Sequence, residues 1–136
     1  MNTRADRPSE VSIPPPDAPI LALTNAPDAA VAALIARTLV EERLAACVNV
    51  LAACESIYRW EGKIEQSSEV PLIIKTTRRR WPALQTRFCE LHPYEVPELI
   101  ALEPSAILPA YAAWVISQTR LPATRAPGAS SGKTAI

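Results

Sequence analysis

The residues best suited to chemistry in this sequence lie in the segment HPYEVPEL, which begins at the only histidine of the chain, His92. Imidazole binds copper and zinc and changes its charge near neutral pH, so His92 could serve as a metal ligand or as a general acid or base. Glu98 follows six residues later, and Pro93 and Pro97 stiffen the backbone between them so that both could reach one pocket. Two other interpretations stay open: His92 could cap a helix C-terminus, and Glu98 could pair with Lys75 or an arginine.

Cysteine is the softest metal ligand available, and Cys47 would hold Cu(I) well if it faced a cleft. The surrounding AACVNV is typical of a core strand, however, where a free thiol packs as a small hydrophobic group. Cys54 comes seven residues after Cys47, a step that places the two on opposite faces of an unbroken strand. With Cys89 the cysteines number three and include no C-x-x-C pair, which favours reduced thiols and a cytoplasmic protein.

A set of aromatic residues with polar groups could line a small-molecule pocket between subunits, or could simply pack a subunit interface. They are Tyr58, Trp60, Tyr94, Tyr111 and Trp114. Lys75 belongs to the same candidate pocket, and together with the arginines at 78–80 it could also hold a phosphate group. A solvated basic turn at the start of a helix explains these charges equally well.

The charge balance argues against nucleic acid and anionic membranes as partners, because 14 Lys and Arg residues offset 14 Asp and Glu residues. No apolar run is long enough to span a bilayer, and the start of the chain lacks the apolar stretch of an export signal. Proline and small polar residues are frequent at 1–18 and 121–136, which predicts two disordered tails around one domain at 19–120.

The hydrophobic pattern predicts the elements that must position these residues. They are, in order, a strand at 20–23, a helix at 27–43, extended arms at 46–60 and 63–76, a helix at 81–91, a strand at 98–102 and a helix after Pro109. This order predicts an α+β fold of the split β-α-β or ferredoxin-like type, with both long helices on one face of an antiparallel sheet and an extra C-terminal helix. The first helix should turn one apolar stripe to the core, formed by Val31, Leu34, Ile35, Thr38 and Leu39.

The two arms should form a long hairpin, because Glu61-Gly62 between them is typical of a tight turn that needs positive φ. Pro71 cannot donate a hydrogen bond, so the second arm should be interrupted there, or meet an edge or a bulge. An extended arm at 46–60 would reach about 50 Å at roughly 3.3 Å per residue, whereas a body of about 100 residues has a radius of gyration near 13 Å. The hairpin should therefore overhang its domain and pair with another copy of the chain.

Several quoted stretches carry a resemblance to a known family. They are APD at the first helix, LVEERLAACVNV, SIYRWEGKIE, EVPLIIKT, HPYEVPELIAL and YAAW in the last helix. Their order and spacing from about Leu21 to Ser117 resemble the CutA family of divalent-cation tolerance proteins. The two tails lie outside the resemblance.

The resemblance implies a ferredoxin-like protomer in a tight homotrimer, with hairpins and sheet edges pairing between subunits as in the PII signalling proteins. It also implies tolerance of copper and other divalent cations without an enzymatic reaction or an obligatory cofactor. The expected function is a trimeric, metal-responsive binding or signalling protein. The alternative is a PII-like trimeric scaffold that binds a small ligand or an unknown protein partner without direct metal binding.

The chain departs from the family pattern at three places. Thr24 stands where some members carry a cysteine proposed as a metal ligand, and Leu91 stands where some carry a further histidine. The segment SAILPA at 105–110 replaces a loop that is usually polar and contains glycine. The metal site implied for this chain is therefore reduced to His92 and Glu98, with Cys47 as a further candidate ligand.

Overall fold

A computed structural model of the chain describes residues 15–122, so most of both predicted tails lies outside the described residues. The elements are β1 (Pro19–Ala26), α1 (Ala29–Glu41), β2 (Cys47–Val50), β3 (Cys54–Trp60), β4 (Lys63–Thr77), α2 (Trp81–Leu91), β5 (Ile100–Leu102) and α3 (Pro109–Thr119). None of the helices in this part of the chain has the length and apolar character needed to cross a membrane.

The strands form one antiparallel arrangement in the order β2-β4-β1-β5, with β3 paired to the other half of β4. β1 and β4 form its centre, in a register that runs from Pro19 opposite Thr77 to Ala26 opposite Val70. Because α1 and α2 are the crossovers of the two β-α-β halves, this topology confirms the predicted ferredoxin-like fold.

The core lies between one face of this sheet and the two helices. Alternate residues of β1 and β4 are buried, as expected for a strand with one face packed. Leu72 and Ile74 belong to the same buried cluster as Leu39 of α1 and Phe88 of α2. Burial of each such side chain contributes about 1.5–3 kcal/mol, so this layer stabilises the fold.

α1 begins two residues later than predicted, because Asp28 lies before the helix as its N-cap. The Asp28 Oδ1 accepts a hydrogen bond of 2.8 Å from the backbone N–H of Val31, which satisfies one of the free donors of the first turn. The predicted stripe was wrong at Leu34, which is 53 % exposed. The buried face is Ala32, Ile35 and Leu39, and Leu34 lies one residue, or about 100°, away from Ile35.

The first arm of the predicted hairpin is broken, which corrects the expectation of one extended stretch at 46–60. β2 ends opposite Leu72 and β3 begins opposite Glu69, so three residues at 51–53 lie opposite the two residues Val70 and Pro71. One extra residue on one side is a β-bulge. The premise that Cys47 and Cys54 share an unbroken strand was therefore wrong.

Pro71 lies opposite the extra residue of this bulge, and a bulge was one of the two environments predicted for it. Its carbonyl accepts the N–H of Leu51 at 2.9 Å, and on its other side it lies opposite Asn25 of β1. The missing N–H costs nothing there, because the ladder on that side is already disrupted. The expectation that the arm itself is interrupted was wrong, since β4 is continuous through Pro71.

The predicted hairpin turn is confirmed at Glu61 and Gly62, which have φ values of 49° and 79°. Two successive positive φ values give the turn whose twist matches the flanking strands. Around this tip the side chains are exposed, including Ile64 at 64 %. The tip extends beyond the packed layer.

The last strand is shorter than predicted, since β5 covers Ile100–Leu102 rather than 98–102 and pairs only with β1. All three of its residues are exposed. α3 follows Pro109 as predicted, and Val115 and Thr119 are its buried residues. Within residues 15–122, β5 is an edge strand that has no partner on its other side.

Candidate functional site

His92 is the C-cap residue of α2, where its backbone N–H donates to the carbonyl of Phe88 at 2.9 Å. The residue is only 5 % exposed. Its ring lies against two aromatic neighbours, with centroid distances of 5.2 Å to Phe88 and 4.7 Å to Tyr94. The helix therefore ends by turning the imidazole into the protein.

Both imidazole nitrogens of His92 take part in hydrogen bonds to the backbone. Nδ1 accepts the N–H of Tyr94 at 3.1 Å, so the ring proton lies on Nε2. Nε2 in turn donates to the carbonyl of Asn25 at 2.7 Å. In this conformation the imidazole joins the end of β1 to the segment after α2, and a cation at either nitrogen would have to replace one of these bonds.

Glu98 is held at the same end of β1. The Thr24 hydroxyl donates to the backbone carbonyl of Glu98 at 2.6 Å, and the Asn25 side-chain amide donates to Glu98 Oε2 at 2.9 Å. The partner of this carboxylate is thus Asn25, rather than Lys75 or an arginine. Thr24 stands where some members of the resembled family carry a cysteine, and in this chain it orients the Glu98 backbone.

A cleft of about 690 Å³ opens between the β3–β4 hairpin and the segment after α2. Its lining residues are Asn25, Ser56, Ile57, Tyr58, Trp60, Glu69, Pro93, Tyr94, Glu95, Val96 and Glu98. We call it the carboxylate cleft after Glu69, Glu95 and Glu98. The lining contains no Lys, Arg or His, so the cleft favours a positively charged ligand.

The negative character of the cleft acts on Tyr94. Burial raises the pKa of its hydroxyl above the ordinary value, and the charge of Glu69 raises this pKa further, with smaller effects from Tyr58 and from hydrogen bonding to Glu69. Glu69 itself is only 8 % exposed. The hydroxyl of Tyr94 therefore stays protonated beside a buried carboxylate.

Cys47 and Lys75 lie elsewhere on the sheet. They are paired across β2 and β4, with Lys75 Nζ 3.8 Å from Cys47 Sγ and hydrogen-bonded to the side chain of Asn49. Along β4, Lys75 is four residues from Pro71, the partner of Asn25, which is about 13 Å at roughly 3.3 Å per residue. Cys47 of the same chain is thus not close to His92.

The remaining predicted residues also lie outside the cleft. Tyr111 and Trp114 stack on each other on α3, with ring centroids 5.7 Å apart. The basic turn is engaged within the chain, since Arg78 pairs with Glu103 and Arg79 with Asp17.

The structure thus brings together only part of the predicted site. Glu98, Tyr58, Trp60 and Tyr94 line one cleft, and His92 is buried beside it. No three His, Cys, Asp or Glu side chains between residues 15 and 122 are grouped closely enough to hold a metal ion by themselves.

Sequence reasoning missed the polar lining residues Asn25, Ser56, Glu69 and Glu95. The available signal was Glu69, a charged residue directly before the buried run VPLII of the second arm. A carboxylate at the border of a core strand is unusual enough to mark a polar site. Asn25 gave no such signal, since it read as part of a turn.

A model of the CutA1 family, described as CutA1 divalent ion tolerance protein, matches residues 20–118. The divalent-cation tolerance protein CutA of Thermus thermophilus is 50 % identical over 80 residues, or 59 % of this chain and 78 % of that protein. The protein of the same name from Pectobacterium atrosepticum is 43 % identical over 101 residues, covering 74 % and 92 %. A crystal structure of CutA from Xylella fastidiosa superposes with a TM-score of 0.73 at 45 % identity, over 75 % of this chain and 98 % of that one.

Proposed function

The chain belongs to the CutA1 family of divalent ion tolerance proteins, and from that premise we propose that it is a cytoplasmic homotrimer that responds to divalent cations by binding them at the carboxylate cleft. The observation that carries this proposal is that Glu69, Glu95 and Glu98 all line one cleft whose lining has no basic side chain. Free Cys47, Cys54 and Cys89 support a reducing compartment.

The available donors suit a cation held by oxygen, because carboxylates are hard ligands. Glu95 and Glu98 are exposed, whereas Glu69 is buried in the wall. Completing the shell requires water or groups from a second subunit, since residues 15–122 of one chain supply too few grouped ligands. For copper, His92 would become a ligand once the hydrogen bond from Tyr94 to Nδ1 is replaced, and Cys47 would have to come from a neighbouring subunit.

Exposed apolar side chains support the assembly. They occur near the hairpin tip at Ile64, and on the edge strand β5 at Ile100 and Leu102. An exposed apolar edge strand and an overhanging hairpin are surfaces that another chain covers. We propose three copies rather than two because the family resemblance implies a trimer. Sedimentation should give three chain masses at micromolar protein, and a monomer would contradict the assembly.

Calorimetry with copper, zinc and cobalt tests the cation proposal. Glu95→Gln combined with Glu98→Gln keeps the size of both side chains and should lower affinity about tenfold or more, since the variant lacks two charged ligands. The matched control is Glu41→Gln, which removes an exposed carboxylate on α1 outside the carboxylate cleft. Equal affinity in the double variant and the control would refute cation binding at this cleft.

The second candidate function is a trimeric scaffold that presents its clefts to a small ligand or a protein partner without direct metal binding. The observation that favours it is the use of both His92 nitrogens by backbone groups. The two functions separate cleanly, because a scaffold gives no binding heat with any of the three cations at any protein concentration.

A further inference from the structure

We propose that the carboxylate cleft also binds an aliphatic polyamine, a flexible organic cation with two or more ammonium groups. This goes beyond the proposed function, because the aromatic part of the cleft contributes nothing to holding a metal ion. It stands on the shape of the cleft, on its aromatic wall and on one buried carboxylate.

The size of the cleft exceeds what a metal ion needs. Its volume of about 690 Å³ lies within the range of roughly 300–1,000 Å³ that is typical of small-molecule sites. A single cation with its ligands would leave most of this space to water. A linear molecule of several bonded carbons and nitrogens makes use of it.

The aromatic wall is formed by Tyr58 and Trp60 of β3 and by Tyr94 of the segment after α2. Faces of such rings attract organic cations through the negative charge of the ring face. They also pack against methylene groups, which a polyamine carries between its nitrogens. A metal ion, surrounded by its ligands, gains neither contribution.

Glu69 supplies the strongest indication of a cationic ligand. The residue is 8 % exposed, yet it forms no ion pair with any Lys, Arg or His within residues 15–122. The Tyr94 hydroxyl contributes a hydrogen bond to this carboxylate, and an ammonium group in the cleft would add a charge-assisted hydrogen bond and a counter-ion. The hydroxyl of Tyr94 beside it is neutral and cannot supply the missing charge.

More than one ammonium group is expected because the carboxylates differ in depth. Glu69 lies in the buried wall, whereas Glu95 and Glu98 are exposed members of the lining. One ammonium group can reach Glu69 while a second, several methylene groups away, meets the exposed pair. A flexible chain between them runs past the rings.

Spermidine is the probe for the test, with 1,6-hexanediol as an uncharged chain of similar shape. Calorimetry on the full-length protein should show spermidine binding and no hexanediol binding. Glu69→Gln and Tyr58→Leu should each weaken spermidine about fivefold or more, since the first loses a charge pair and the second a cation–π contact. Tyr58→Phe keeps the ring and should bind like the parent, as should Trp114→Leu, which changes an aromatic residue outside the carboxylate cleft.

The proposal is overturned if spermidine does not bind the parent protein, if hexanediol binds equally well, or if Tyr58→Leu binds as tightly as Tyr58→Phe. Sedimentation and circular dichroism of each variant identify loss of assembly or folding. If Tyr58→Leu fails to fold or assemble, the spermidine affinity of Glu69→Gln tests the proposal independently. Titrating the same variants with zinc keeps the two ideas apart. Tyr58→Leu should leave zinc affinity unchanged, and absence of zinc binding alongside intact spermidine binding would remove only the divalent-cation function.

Discussion

The two halves of β4 are one strand in two different environments. From Val70 to Thr77 it lies between β1 and β2, and its alternate side chains are buried against the helices. From Lys63 to Glu69 it pairs only with β3, and most of its side chains are exposed. The half at 70–77 is stabilised by contacts within its own chain, whereas the half at 63–69, whose one apolar side chain is the exposed Ile64, gains little from such contacts.

The largest expected effect falls on the packed half. Phe88→Ala should lower the free energy of unfolding by about 3–5 kcal/mol, because the fully buried ring leaves a cavity between α2 and the sheet. Ile64→Ala on the hairpin is the comparison and should cost less than half as much, because within its own chain this side chain is 64 % exposed and only a neighbouring subunit would bury it. Denaturant unfolding measures both, and equal losses would remove the distinction between the two halves.

His92→Ala should come next, with a loss of about 1–3 kcal/mol, because the carbonyl of Asn25 and the N–H of Tyr94 lose their partner. The readout is again denaturant unfolding. Gln85→Ala, on the exposed side of the same helix, is the control and should be nearly neutral. A neutral His92→Ala would mean that the imidazole does not join β1 to the segment after α2.

Gly62→Val tests the exposed half directly. A β-branched residue at φ 79° is strained by about 1–2 kcal/mol, and the space around Gly62 is open, so backbone strain is the only expected cost. Because the hairpin is proposed to pair between subunits, the variant should reduce trimer yield more than it affects far-ultraviolet circular dichroism. A parent-like trimer with an unchanged thermal midpoint would contradict this.

The smallest effect concerns the exposed ion pair between Asp17, just before β1, and Arg79, just after β4. The hydrogen bond from Arg79 lowers the pKa of Asp17, burial opposes this shift, and the charges of Arg79 and Arg120 lower the pKa further. A carboxylate whose pKa is lowered on folding stabilises the folded state at pH values above its ordinary pKa near 3.9. This stabilisation is lost as the pH falls through the folded-state pKa. Between neutral pH and strong acid, the free energy of unfolding of Asp17→Asn should therefore fall slightly less than that of the parent. High salt should reduce this difference between the two proteins.

The sequence predicted those features that depend on neighbouring residues. The N-terminal start of α1 near Asp28, the turn at Gly62 and the end of α2 at His92 each rest on local backbone chemistry, and the structure contains all three. The order of elements was enough to specify the fold, because few topologies satisfy the handedness and crossover rules.

Features that depend on distant partners were not predictable in the same way. The bulge at 51–53 occurs in LAA, which contains no Gly or Pro, and only the opposing Pro71 explains it. The link from His92 to Asn25 spans 67 residues of chain, and no local pattern encodes it. Leu34 is exposed because of the direction from which the sheet packs against α1. The spacing of apolar residues along the helix does not determine that direction.

The turn at Glu61-Gly62 also has a kinetic consequence. β3 and β4 pair residues as close in sequence as Trp60 and Lys63, whereas β1 and β4 join Pro19 to Thr77. Short loops close faster than long ones, so the hairpin is expected to form early, before the central sheet is assembled. The nascent chain would then expose Ile57, Trp60 and Ile64 while its own core is still open. Contact with other copies at that stage can lead to aggregation as well as to assembly.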